Sequence, residues 1–166
     1  MDVKLFQAIN FLSGRSLILD KIMILISNRV RYVYILILII MFFKKYDYKK
    51  MSMDAGISVL ISLMINIIIK LFYFKPRPFL KRRVRILIPS KMDSSFPSKH
   101  TLLVFAVSTT VFLYHRCLGL IMWGLSLLTG LSRIWVGHHY PSDIIGSAFL
   151  GSFTSMFLHK ISRFQK

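Results

Sequence analysis

The sequence predicts an all-α fold: a polytopic integral membrane helix bundle with five to six transmembrane helices. Three observations lead there. Of 166 residues, 55% are apolar and 14% aromatic, and the mean hydropathy is +0.60. The 23 Lys and Arg against 6 Asp and Glu give a net charge of +17. These charges sit in short clusters between apolar runs, which punctuates a multi-span chain and does not build the wet basic face of a nucleic-acid binder. The expected surroundings are therefore a lipid bilayer, and nucleic acid is not an expected partner. The lone Cys117 excludes a disulfide scaffold and a cysteine-built metal site.

The elements follow in order. Asp2–Ser13 reads as an interfacial helix. Leu17–Ile26 is apolar but broken by Asp20-Lys21, so it reads as a short or half-inserted helix, with a sixth full crossing as the alternative. No small-residue cleavage site follows an apolar stretch near Met1, so no cleavable signal is expected. Five apolar runs then give the minimum number of crossings: 32–43, 55–69 extending to Phe74, 101–114, 117–132 and 144–158. Each is shorter than the roughly 20 residues that cross about 30 Å of hydrocarbon. Flanking Lys, Arg and Tyr supply the missing turns by snorkelling. The polar stretch Lys75–Lys99 is longer than an ordinary helix connection, and loops of that size are commonly functional. The chain is read as one domain, 1–166, with N-terminal helices over 1–29 and the bundle that carries the chemistry over 30–163.

Three motifs hold that chemistry. Lys70 precedes Arg77-Pro78 by six residues; Pro97-Ser98-Lys99-His100 opens the next helix; Ser132-Arg133 is followed after five residues by His139 and after three more by Asp143. Two crossings separate the second from the third, so all three share one membrane face whichever way the N-terminus points. Lys70, Arg77 and Arg133 are cations suited to phosphate oxygens. Ser98 and the amides of Lys99 and His100 begin a helix after a proline, where an anion is favoured. Asp143 can hold one ring nitrogen of His139 and leave the other as nucleophile. His100 is then free to protonate a leaving oxygen. Such a set describes phosphoryl transfer to a histidine, with fixed cations in the place that magnesium has in kinases and no cofactor or metal required.

These residues resemble the type 2 phosphatidic acid phosphatase superfamily, which shares its fold with the vanadium haloperoxidases. The family pattern K-x6-RP, PSGH and SR-x5-H-x3-D is matched at ten fixed positions: Lys70, Arg77, Pro78, Pro97, Ser98, His100, Ser132, Arg133, His139 and Asp143. Lys99 departs from the usual glycine, either crowding the loop or adding a fourth cation near the phosphate. The stretches Phe72–Phe79, Ser95–Thr101 and Leu131–Ser147 are most similar to the bacitracin-resistance group of undecaprenyl-diphosphate phosphatases. The resemblance implies that His139 attacks the terminal phosphorus, oriented by Asp143. It implies that His100 is the acid and then the base, and that Lys70, Arg77, Ser98 and Arg133 bind phosphate, with Lys99, outside the family pattern, a further phosphate-binding candidate. The implied substrate is a polyprenyl or other lipid phosphate. The implied location is the bacterial plasma membrane, with the site facing the extracytoplasmic side.

Other residues have plainer readings. Asp143 also fits a helix cap beside Pro141. His138 reads as a bystander whose backbone shapes the turn, and Trp135 and Tyr140 as interface anchors. Lys81–Arg85 reads as a solvated run facing anionic lipid, with a headgroup funnel as the alternative. Lys44, Lys45, Lys49 and Lys50, with Arg116, Lys160, Arg163 and Lys166, mark the opposite side as cytoplasmic. The site-side cations nearly balance them unless Arg77 and Arg133 are set apart as functional. A transporter subunit is disfavoured, since the strongly polar groups gather at one end and not at mid-span.

Overall fold

The computed structural model describes residues 2–81 and 84–164; Met1, Arg82, Arg83, Gln165 and Lys166 lie outside it. Its helices are α1 (Asp2–Leu12), α2 (Leu17–Phe42), α3 (Tyr46–Phe72), the single turn α4 (Pro78–Lys81), α5 (Lys99–Tyr114), α6 (Arg116–Trp135) and α7 (Pro141–Phe164). Four of them, α2, α3, α6 and α7, are long and apolar enough to cross a bilayer, and α5 is a shorter apolar helix. The protein is a multi-pass membrane protein, with four helices of spanning length and the shorter apolar α5 among the described residues.

Helix α2 corrects the sequence reading. Leu17–Ile26 is not a separate or half-inserted helix; it is the first half of one 26-residue helix that runs unbroken across the 29/30 division. No proline or glycine lies between Leu17 and Phe43, so nothing in the backbone stops propagation. The charge that seemed to interrupt the apolar run is satisfied within the fold. Asp20 accepts from the Gly14 amide at 2.9 Å and from Trp135 Nε1 at 2.8 Å. Ser16 caps the start.

The short helix α5 stands in the middle, packed on α3, α6 and α7. Nearly all of it from Thr101 to Val111 is buried, so it need not meet lipid along its length. Close approach explains Gly151 on α7: a Cβ there would lie 2.3 Å from the Leu102 carbonyl oxygen. Hydroxyls join the helices in place of long side chains. Ser126 of α6 bonds Ser108 of α5 and Tyr34 of α2, at 3.0 and 2.9 Å. Outward-facing Leu36, Leu60, Leu120 and Phe149 are each more than half exposed, as lipid-facing side chains are.

Helix α1 crosses the site end of the bundle. Its buried Asn10 accepts from the Arg85 amide and donates to the carbonyls of Arg85 and Trp135, all within 3.1 Å. Phe6 packs on Tyr140, and Leu5, Phe11 and Leu12 stay exposed, in keeping with an interfacial helix. Arg85 is exposed, and its guanidinium donates to the Ser13 carbonyl, which ties this end of the cluster to the loop after α1. Arg82 and Arg83, named in both readings of that cluster, lie outside the described residues.

Candidate active site

The exit of α3 and the entry of α5 place the first two motifs at one end of the bundle. Lys70 sits in the last turn of α3, and its Nζ reaches Asp93 Oδ2 at 2.8 Å. Arg77, 6% exposed, bonds Asp93 Oδ1 through Nε and Nη2 at 3.0 and 2.6 Å. One carboxylate thus occupies the donors of two phosphate-binding candidates. Burial works to raise the pKa of Asp93, but hydrogen bonds and charge from Lys70 and Arg77 outweigh it and hold the carboxyl below its usual range.

The third motif turns sharply between α6 and α7. Gly137 has φ +87°, and a Cβ there would meet the Arg85 carbonyl oxygen at 2.5 Å, so only glycine fits. The turn buries both following histidines. His138 donates from Nε2 to the Ile88 carbonyl at 2.7 Å and fixes the loop below it. Burial, and after it the charge of Arg133, pushes His138 down to about 4.

His139 is 2% exposed, with Nδ1 2.7 Å from the Ser95 carbonyl oxygen. A carbonyl only accepts, so Nδ1 carries the proton and Nε2 keeps its lone pair, facing Arg77 Nη1 at 3.4 Å. Burial first, then the charges of Arg133 and Arg77, hold His139 well below the ordinary imidazole range, against a weaker upward pull from the Ser95 bond. The ring is therefore neutral, as a nucleophile must be.

The expected Asp143–His139 pairing is looser than the spacing suggested. Asp143 Oδ2 stands 3.9 Å from Nδ1. Its oxygens are held instead by the Ser95 hydroxyl, the Tyr140 amide at 2.9 Å and Lys75 Nζ at 2.6 Å. The Tyr140 bond is the reach-back of a third helical residue to its cap, so the cap reading of Asp143 holds. Ser95, whose hydroxyl also lies 3.4 Å from Nδ1, stands between carboxylate and ring.

Ser98 is corrected as a phosphate ligand. It is fully buried as the N-cap of α5; its Oγ accepts from Thr101 and its amide donates to Ser147 Oγ, and it does not line the cavity. Lys99 and His100 do line it. Arg133 donates from Nη1 to Ser27 Oγ at 2.7 Å, and its buried Nε has no partner. His100 Nε2 lies 3.2 Å from Nη1 of Arg31 on α2.

All of this surrounds a cavity of about 490 Å³ whose lining includes Arg31, Lys70, Arg77, Lys91, Lys99 and Arg133, with Asp93 the one carboxylate among the described residues. His100, His138 and His139 face the same space. Sequence reasoning missed Asp93, Ser95, Lys75, Ser27 and Arg31. Of these only Asp93 carried a signal, since 6 acids against 23 bases are scarce enough to be worth placing.

Comparison with known proteins gives the chain's relatives. Residues 52–166 match the PAP2 superfamily. Over 150 residues, 89% of this chain and 77% of the other, the sequence is 44% identical to the undecaprenyl-diphosphatase BcrC of Bacillus subtilis (strain 168). It is 28% identical over 160 residues (95% of this chain, 79% of the other) to the bacitracin transport permease protein BcrC of Bacillus licheniformis. The crystal structure of Aquifex aeolicus LpxE matches with a TM-score of 0.83 at 26% identity, covering 96% of this chain and 94% of that one.

Proposed function

We propose a reaction from one premise: this chain belongs to the PAP2 superfamily. It is a membrane phosphatase, and its substrate is undecaprenyl diphosphate, which it converts to undecaprenyl phosphate and phosphate. One observation carries the chemistry: a buried neutral His139, its Nδ1 proton tied to a backbone carbonyl, turns its Nε2 lone pair toward Arg77 and the cation-lined cavity.

The terminal phosphoryl group takes its place among Lys70, Arg77 and Arg133, displacing Asp93 from the first two and giving the unpartnered Nε of Arg133 an acceptor. His139 Nε2 forms a bond to phosphorus as the bond to the bridging oxygen breaks. The released electron pair stays on that oxygen, which takes a proton from His100. Positive charge developing on the His139 ring is shared with the Ser95 carbonyl and, through the Ser95 hydroxyl, with Asp143. His100 then takes a proton from water, whose oxygen attacks the phosphohistidine and frees phosphate. A monophosphate is a far better leaving group than an alkoxide, so the demand on His100 is modest. Lys99 extends the cationic rim at the place where the family pattern has glycine. The reaction recycles the wall-precursor carrier at the outer face of the bacterial plasma membrane and lowers bacitracin sensitivity by consuming the drug's lipid target.

Transport is the second reading, favoured by the name of the Bacillus licheniformis relative. Detergent-solubilised protein separates the two, because a permease has no compartments to move substrate between. Phosphate release from undecaprenyl diphosphate in detergent, with EDTA present and inhibited by vanadate, is the expected result. No release, or release abolished by EDTA, overturns the proposal. Phosphatidate and phosphatidylglycerophosphate measured alongside establish whether the diphosphate is preferred.

A further inference from the structure

Arg31 belongs to none of the three motifs, yet it touches the residue assigned as the acid. It lies four positions after Ser27 on α2, so both share a helix face. Ser27 holds Arg133, which fixes that face against the catalytic cations. The Nη1 of Arg31 is 3.2 Å from His100 Nε2. A guanidinium only donates, so Nε2 is the acceptor here and the ring proton is on Nδ1. In this arrangement His100 has no Nε2 proton to give. For that nitrogen to act as the acid, Arg31 must first leave it.

A second feature says what draws Arg31 away. Beside the cation-lined cavity is an apolar groove of about 190 Å³ between α2, α3 and α5, lined by Tyr34, Leu38, Gly56, Val59 and Val104, and Arg31 borders both spaces. A lipid diphosphate laid across this junction is read in order. Its terminal phosphate meets Lys70, Arg77 and Arg133, its bridging oxygen meets His100, its lipid-proximal phosphate meets Arg31, and its tail enters the groove.

We propose that Arg31 is the ligand of the lipid-proximal phosphate of a diphosphate substrate, and that taking up this phosphate frees His100 Nε2 to accept a proton from solvent, giving the imidazolium that delivers this proton to the bridging oxygen. The inference rests on the undecaprenyl diphosphate reading and adds to it a physical basis for choosing diphosphates. A lipid monophosphate offers Arg31 no second phosphate, leaves it on His100, and is turned over poorly for that reason.

The test compares undecaprenyl diphosphate with phosphatidate on the purified full chain in detergent, for wild type, Arg31→Ala, Arg31→Gln and Arg31→Lys. Arg31 is exposed, so its removal opens no core, and the glutamine variant serves should the alanine variant fail to fold. Loss of one charged hydrogen-bonding partner predicts a rise in KM for the diphosphate of about tenfold to a hundredfold. The ratio of kcat/KM for diphosphate over monophosphate should fall at least about tenfold, and Arg31→Lys should recover part of it. Equal losses on both substrates in Arg31→Ala and Arg31→Gln would show that Arg31 merely supports His100 and would overturn the assignment. If wild type releases phosphate from phosphatidate but not from undecaprenyl diphosphate, the substrate reading itself fails, and the Arg31 assignment falls with it.

Discussion

On the α5–α7 wall of the cavity, the chemistry comes from short stretches with fixed internal spacing. Arg133, His139 and Asp143 fall within eleven residues, and His100 opens α5 two residues after its cap. A second wall includes Arg31 from a long lipid-exposed helix and Asp93 from an irregular loop; the same helix and loop carry Ser27 and Ser95, which support Arg133 and His139 from behind. By the proposed roles, the first wall acts on the phosphorus atom, whose geometry is the same in every substrate. By the same proposal, the second wall meets the rest of the ligand, and its Asp93 holds Lys70 and Arg77 in place. A constant reacting group can be met by residues at constant spacing, whereas contacts to the variable remainder depend on where tertiary packing brings a helix face.

The sharpest way to break this comparison is His139→Ala. Removing the proposed nucleophile should lower kcat on the order of 10⁴-fold or more on every lipid phosphate, since a catalytic unit that loses its attacking atom retains only binding and electrostatics. Phosphate release in single turnovers is the measurement. A variant that keeps even a tenth of wild-type activity would mean that the motif-bearing wall is not where bonds change.

Asp143→Asn sharpens it next. A carboxylate bonded directly to the ring nitrogen would make this change cost about 10⁴-fold, as in a serine-protease triad. Here Nδ1–H is held by the Ser95 carbonyl and the carboxylate is 3.9 Å away. The expected loss in kcat is therefore about 10²-fold, with KM little altered. A full triad-like loss would return Asp143 to the ring.

What the sequence made legible follows the same division. The apolar runs and their charged punctuation placed the crossings, and the motif spacings brought His100, Arg77, Arg133 and His139 to one end. The continuity of α2 was not legible, because Asp20, Arg29 and Arg31 look like a break until Trp135, from 115 positions away, is seen to satisfy Asp20. The partner of His139 was hidden for a different reason. Every residue has a carbonyl, so no residue type announces that the one at Ser95 orients a ring. Ser98 misled because a motif serine with a free-looking hydroxyl at a helix start turns inward to Thr101.

Asp93 offers a smaller effect. Its carboxylate occupies Lys70 and Arg77 in the way a phosphoryl oxygen would, though it is itself 43% exposed and so partly screened. Asp93→Asn keeps the shape and removes the competing charge. Inorganic phosphate should then inhibit about three- to tenfold more tightly, the scale of one charged hydrogen bond weakened by solvent. Weaker inhibition would mean that Asp93 positions the two cations and does not compete for them.

The smallest effect concerns the turn that joins the two walls. His138 is neutral when folded, with its pKa at about 4, while the unfolded chain protonates it near 6.5. Below 6.5 the unfolded state therefore binds more protons, and stability contributed above that pH is lost progressively as pH falls toward 4. His139, displaced in the same direction by burial and by Arg133 and Arg77, adds to the same slope. The melting temperature in detergent should fall by roughly 5 °C between pH 7.5 and pH 5 on account of His138. His138→Gln, whose amide can still donate to the Ile88 carbonyl, should flatten that fall without reversing it, because His139 remains. A profile as steep in the variant as in the wild type would mean that the joint between the walls is held by the backbone of the turn alone, with Gly137 and not the imidazole as its fixed point.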